Sequence, residues 1–582
     1  MKKEVASKQI KWRVNDLPEK SILVKVNAAW KDLSGKLPAP KIATLLAQRE
    51  IDTEDKMKRF FKPSLNDLHD PFLMKDMDAA VSRIEKAMAD EQKVLVYGDY
   101  DVDGTTSVAL VYSVLKSLGI TAGYYIPNRY SEGYGISEKG IDYANENDFD
   151  LVIALDCGIR AIDKIEYAKS LGIDFIICDH HTPGEKNPDA VAVLDPKRSD
   201  CNYPFKELSG CGVGFKLMQA LLQSLGKDVS ELYEYLDLLA VSIGADIVPI
   251  IGENRILASF GLQKVFDNGR PGITKLFASA KFSRTKDVSI SDLVFLVAPR
   301  INAAGRIDSG ETAVKLLTTE SEEEADQLSE LLEQTNTTRR SLDKETTGEA
   351  LTMLANDEEA EVSFSTVVWK DGWHKGVIGI VASRLIEKYY RPTIVFSLED
   401  GMATGSARSV EGFNIHTALQ ACDHCIEQFG GHPMAAGLSV REENLETFRK
   451  SFDEAVSEMI LEEHSTQEIQ VDLELELDEI TAKFYNLLKF FAPFGPGNMR
   501  PVFKSSNVVA SPKTRSVGSD KSHLKLEITH DATLLGGIGF GLGHLAKDLA
   551  AGQPFSMVYT LEENVFRGQK TLQLNVKDIH LD

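Results

Sequence analysis

Between residues 93 and 194 one pattern recurs: a short apolar run, a polar break, then a stretch of helical period. The runs are VLVY at 94–97, YYIP at 124–127, LVIAL at 151–155, FIIC at 175–178 and VAVL at 191–194. Strands that are apolar throughout and alternate with amphipathic helices build a parallel sheet covered on both faces. Such a sheet binds its ligands beyond the carboxyl ends of the strands. Three of the runs end in ionisable residues. GDYDVDG follows the first and supplies Asp99, Asp101 and Asp103, LDCG supplies Asp156, and CDHH supplies Asp179, His180 and His181.

Carboxylates at every second position repel one another unless cations neutralise them, and hard divalent cations prefer oxygen ligands. The competing reading of GDYDVDG alone is an acidic turn that caps the following helix. An EF-hand is disfavoured, because the Glu that closes such a loop would fall where Leu110 stands. An Asp-His-His triplet at a second strand end shifts the balance to metal binding. Asp246 lies in the apolar stretch LLAVSIGADIVPI, where a buried carboxylate needs a cation or partner. It is the expected remote ligand. Carboxylates with one or two imidazoles favour manganese or magnesium over structural zinc. Two such ions about 4 Å apart can activate water, orient a phosphodiester and stabilise the departing oxygen. Phosphoester hydrolysis is the leading chemistry.

The rest of the chain sorts by periodicity. Residues 1–80 read as a helical lead-in, 81–310 as the catalytic α/β domain and 311–358 as a long, charged, solvated connecting helix. A second mixed αβ domain is expected over 359–462. From 467 to 582 the alternation becomes period two (IQVDLELEL, LKLEI, FSMVY, LQLNV), which predicts a small antiparallel barrel. GCGVGF at 210–215 departs from the dinucleotide-binding pattern at Phe215 and reads as a helix start. Cys422 and Cys425 form an isolated C-x-x-C and read as small apolar residues on one helix face.

With 65 basic against 88 acidic residues the chain carries −23, so a nucleic-acid contact must come from local basic surface or bound cations. The window from Met499 to Lys525 is such a surface. It holds Arg500, Lys504, Lys513, Arg515, Lys521 and Lys525 against Asp520 alone, with Phe494, Phe503 and Phe566 near enough to stack on bases or fill the barrel core. Six scattered cysteines do not form a disulfide framework, no run is apolar enough to span a membrane, and MKKEVASKQIKWRV lacks a signal core. A cytoplasmic location is expected.

Taken together, GDYDVDG, IPNRYSEGYG, LDCG, CDHH, GADIVP, APRINAAGR, DGWHKGVIGIVASR, GGHPMAAG and PFGPGNMRPVF resemble the DHH phosphoesterases, and within them the RecJ single-stranded-DNA exonucleases. The resemblance implies a parallel-sheet DHH domain, a DHH-associated domain joined to it by the long helix, and a terminal OB-like barrel. It carries over Asp101, Asp103, Asp156, His180 and Asp246 as metal ligands holding two Mn2+ or Mg2+ ions, with Asp99 as a further candidate and His181 beside them in the catalytic set. Many DHH enzymes carry a His where this chain has Tyr97. Phosphate-binding candidates are Arg129, Arg300, Asn302, Arg306, Arg384, Ser406, Arg408, Gly430, Gly431 and His432, although Arg300 and Arg306 can also be read as ion pairs to the acidic helix that follows. The GGH segment is expected as a turn facing the metals.

The implied activity is 5′ to 3′ exonucleolytic hydrolysis of single-stranded DNA in recombination and repair. A single-stranded-DNA-binding protein and a helicase are the implied partners. Alternatives are a DHH phosphodiesterase of short oligonucleotides or cyclic dinucleotides, which generally lacks such a barrel, and a non-catalytic replication scaffold, which would not need the intact ligands.

Overall fold

The computed structural model describes residues 10–282, 287–307, 309–530, 533–566 and 569–581, without the side chains of residues 530, 533 and 566. The apolar runs form five parallel strands in the order Ala122–Tyr125, Val94–Gly98, Leu151–Leu155, Asp174–Cys178 and Ala192–Leu194. Gly98 pairs with Leu155, and Leu155 with Cys178. The residues that follow these three, Asp99, Asp156 and Asp179, therefore leave the sheet side by side. Helices Val102–Ser117 and Gly210–Ser224 cover it, capped by Asp101 and Ser209, whose side chains accept from the Gly104 and Gly212 amides. GCGVGF is thus a helix start.

The segment expected as one solvated helix is two. Gly310–Thr318 buries Ala313, Val314, Leu316 and Leu317 in the catalytic core, and Ser321 then caps the connecting helix Glu322–Ala355. That helix carries the second domain, a sheet ordered Gln428–His432, Ala435–Arg441, Met402–Arg408, Thr393–Glu399 and Thr366–Asp371, antiparallel except for its last pair. Cys422 and Cys425 are buried in its core, though Cys425 lies in a short 3-10 turn and not on the helix.

The C-terminal segment is a seven-stranded sheet. It is not purely antiparallel: Leu473–Glu474 runs parallel to Val502–Val508, and Thr533–Gly539 parallel to Gln569–Leu581. The lead-in is not independent of it. Strand Lys11–Val14 pairs in parallel with Glu468–Val471, and Val26, Ile42, Leu45, Leu46 and Met57 share one core with Phe491, Phe503, Phe555 and Tyr559. No helix among the described residues is long and apolar enough to cross a membrane.

Arg255, from the catalytic-domain helix Gly252–Asn268, ties the three regions together. Its guanidinium donates five hydrogen bonds of 2.8–3.2 Å to the carbonyls of Phe60, Phe491, Ala492 and Pro493, and it stacks 3.8 Å above the Phe60 ring. Arg255→Ala takes the guanidinium donors from the Phe60 and Ala492 carbonyls and leaves those of Phe491 and Pro493 with the Asn498 amide alone. A loss of about 3 kcal/mol is expected in urea unfolding, and an unchanged midpoint would show that the clasp contributes nothing.

Candidate metal centre and the cleft that faces it

The level strand ends bring Asp99, Asp101, Asp103, Asp156 and His180 together, and Asp246, at the C-terminal end of the helix Leu236–Ala245, joins them in one cluster. Two backbone features make this approach possible. A Cβ on Gly104 would stand 2.3 Å from the Asp99 carbonyl oxygen, and one on Gly210 would stand 2.6 Å from the Asp156 Cβ. Asp156 itself has φ +59° and Ile247, next to Asp246, has φ +60°. A β-branched residue there is strained.

His180 Nε2 is 3.1 Å from an Asp156 oxygen, 3.5 Å from Asp246 and 3.7 Å from Asp103. None of these contacts is a hydrogen bond. Asp156 Oδ1, Asp99 Oδ1 and both His180 ring nitrogens are buried without a hydrogen-bond partner, a condition that normally costs too much to persist. Cations remove that cost. Asp103, His180 and Asp246 offer atoms within 4.8 Å of one another, as do Asp99, Asp101 and Asp156. Asp156 also contacts His180, so it adjoins both groups. Each residue carried over as a ligand lies here, and the donor set fits two oxygen-preferring divalent ions.

Supporting residues hold the cluster. Asp103 accepts from the Gly210 and Cys211 amides and from the Ser242 hydroxyl. Ser242 was not singled out from sequence; its signal is a polar residue one helical turn before Asp246 in an apolar run. Asp179 accepts from the His180 and His181 amides, from His181 Nδ1 at 2.7 Å and from the Ile159 amide. Burial pushes the Asp179 carboxyl up, yet the His181 hydrogen bond and charge hold it down at about 2. For His181, burial acts downward, but Asp179 and the nearby carboxylates raise it to about 9. Asp195, at the next strand end, is also buried, and burial lifts it to about 7. Tyr97 does not face the metals: its hydroxyl donates to Gly135 O and receives the Ser137 amide.

Across the cleft stand the phosphate candidates of the second domain. The charge of His181 acts on His432, drawing its pKa further below the ordinary value after burial, so the GGH segment faces the metal side. It is not a turn. Gly430–His432 ends an edge strand paired to Ala435–Gly437. Arg408 donates to Ser406, and both lie under 3 Å from where a Gly379 Cβ would be. Burial, then Arg129, Arg408 and Arg339, press Arg306 down to about 10; burial and Arg129 lower Arg408. Three guanidinium groups thus converge, and no ion pair joins any of them to a carboxylate among the described residues. Arg306 also donates to Gly376 O, and Tyr130 to Arg306 O, which closes the two domains on each other.

Two candidates are turned elsewhere. Arg300 is buried in contacts with Glu333, Ser279 and Leu296 O, the ion pair to the acidic helix; Asn302 stands half-buried on the same helix. Arg384 forms a two-pronged bridge to Asp343.

A parallel sheet with this cluster at its carboxyl edge, facing a second αβ domain, defines a phosphoesterase of the DHH type. The DHH family, N-terminal domain, matches residues 93–243, the DHHA1 domain 360–458 and the RecJ OB domain 471–578. The single-stranded-DNA-specific exonuclease RecJ of Bacillus subtilis (strain 168) is 37% identical over 93% of this chain and 68% of its own length, and that of Escherichia coli (strain K12) 34% over 94% and 97%. The crystal structure of RecJ in complex with Mn2+ from Thermus thermophilus matches with a TM-score of 0.83 at 26% identity, over 99% of this chain and 80% of that one. The chain belongs to the RecJ family.

Burial and mutual repulsion lift the Asp246 carboxyl to about 8 and those of Asp156 and Asp99 well above the usual range. Without cations, protonation of these groups favours the fold, and that contribution is lost as pH rises from about 4 through about 8. Cations replace the protons, so their stabilisation grows with pH. The rise in melting temperature on adding manganese to chelated protein is expected to be larger at about pH 8 than at about pH 6; a rise that shrinks with pH would contradict the cluster as the binding site.

Proposed function

We propose that this protein is a metal-dependent exonuclease that removes nucleotides from the 5′ end of single-stranded DNA. The observation that carries the reading is the cluster of orphaned buried carboxylate and imidazole atoms facing a cleft lined by unpaired guanidinium groups. Asp103, His180 and Asp246 would hold one Mn2+ or Mg2+ and Asp99 and Asp101 the other, with Asp156 shared. Such ions, when bound, activate water and stabilise the charge that develops on the phosphate.

The chain's own residues do the positioning. Arg129, Arg306 and Arg408, with Ser406, receive the terminal 5′ phosphate, and the edge strand Gly430–His432 presents backbone amides and an imidazole to the scissile one. A fixed anchor for the strand's end beside a fixed hydrolytic centre makes cutting end-dependent. Asp179 holds His181 beside the cluster, where its imidazole is placed to exchange a proton with attacking water or leaving oxygen. The oligonucleotide and cyclic-dinucleotide reading gains no support from a chain that carries a RecJ OB domain, and a scaffold would not keep a complete ligand set. Six unpaired, buried cysteines suit the cytoplasm, and recombination and repair are the proposed setting, with a single-stranded-DNA-binding protein and a helicase as partners.

The test is digestion of end-labelled DNA. The protein with manganese should shorten single strands far faster than blunt duplex, chelator should stop it, and Asp246→Ala should lose more than about 100-fold in rate while remaining folded. Equal rates on both substrates, or full activity in Asp246→Ala, would overturn the assignment.

The OB domain offers a second measurement. Arg500, Lys504 and Lys513 lie near Glu562, Glu474 and Glu527, whereas Arg515, Lys521 and Lys525 form no ion pair among the described residues. Arg515 and Lys525 sit directly opposite each other across a ladder, an arrangement that repels unless an anion lies between. Phe503 is core, Phe494 lies under the Arg500 guanidinium, and the Phe566 side chain falls outside the described residues. Three free cations predict that this domain adds a log–log salt slope of about −2 to single-strand affinity, lost in a variant with all three replaced by Gln.

A further inference from the structure

A cavity of about 490 Å3 opens between the connecting helix and the first helix of the second domain, Ile378–Tyr389. Arg339, Arg340 and Lys344 line it from the connecting helix and Arg384 from the facing one; its one carboxylate is Asp343. Asp343 is already used. It is buried, and its two oxygens accept from Arg384 Nε and Nη2 at 2.9 and 2.8 Å. That leaves three cations with no acid to pair with, in a chain whose charge is −23 and on a helix that opens with three consecutive glutamates.

Their placement is unfavourable by itself. Arg340 and Lys344 stand one helical turn apart, exposed, and form no ion pair among the described residues; like charges at that spacing destabilise a helix. Arg339 donates from Nη2 to Asn336, but its Nε is buried without an acceptor. An anion in the cavity removes both costs. Arg339 also lies near enough to Arg306 for its charge to add to the lowering of that pKa.

We propose that this cavity is a second phosphate-binding site, distinct from the cluster of Arg129, Arg306 and Arg408. The inference rests on the nuclease reading for the source of its ligand. A planar guanidinium and a mobile ammonium match phosphate oxygens. Two sources supply that chemistry: a backbone phosphate of the bound strand, or the phosphate of the released mononucleotide.

The experiment uses binding, not turnover, on the full-length chain. Arg340→Glu/Lys344→Glu changes two exposed side chains; Lys31→Glu/Lys36→Glu on the lead-in makes the same change in net charge elsewhere. Thymidine 5′-monophosphate binding is measured by calorimetry, and single-strand affinity across a salt series in chelator. If the released nucleotide is the source, its Kd should rise at least about fivefold in the cavity variant only. If the strand is the source, the salt slope should flatten by about 1.4, the share of two phosphate contacts, again in the cavity variant only. No change in either, or equal changes in both variants, overturns the proposal. Failure of the nuclease reading shows separately, as native protein that leaves single strands intact in manganese.

Discussion

Electrostatic repulsion among five carboxylates is the constraint around which this molecule is built. Burial and the neighbouring carboxylates, Asp103 among them, raise the proton affinity of Asp99, Asp101, Asp156 and Asp246, and no arrangement of apolar neighbours relieves that. The parallel sheet concentrates them because its register sets three strand ends level. Glycines at 104 and 210 then permit backbone approaches that any side chain would block, and Asp156 and Ile247 hold left-handed conformations. The fold accepts strain and repulsion at one edge and offsets them with an apolar core beneath. Cations complete the structure as well as supplying the chemistry.

The same edge is also tied to the C-terminal domain. The loop after Asp246 packs on the C-terminal region: the Ile250 amide donates to Pro496 O at 2.6 Å, and Gly495 and Gly497 lie against Ile250 and Ile251. Arg255 clasps the next turn of that contact, and Arg49 of the lead-in donates to Asn498 and Met499 O. The C-terminal sheet is therefore tied to the proposed metal ligands through a few directly packed residues.

The catalytic domain was legible because its signals are local. Continuous apolar runs followed by acids state both the sheet and the edge where ligands gather, and the family's motifs supplied the pairing of domains. What escaped was non-local. The parallel pairing of Lys11–Val14 with Glu468–Val471 joins segments near opposite ends of the chain, and four-residue strands carry little periodicity. Arg300 lost its proposed role to Glu333, a partner one helix away. Gly430 and Gly431 suggested a turn because glycine is a poor strand former, yet a strand at a sheet edge needs only one paired neighbour. Phe503 was ambiguous between stacking platform and core, and burial alone decides it.

A chain with charge −23 that handles a polyanion must discriminate by place. Its acids are distributed over the outer faces, as in the first turns of the connecting helix, whereas the guanidinium groups of Arg129, Arg306 and Arg408 are gathered inside a cleft and left without carboxylate partners. Burial makes this costly, because it lowers the proton affinity of both Arg306 and Arg408. The cost is selective, since it is recovered only by an anion that reaches the cleft floor. Acidic walls screened over about 8 Å at physiological salt repel phosphate arrays that stay outside. Selection among phosphates then follows from where charge is buried, not from how much basic charge the protein carries.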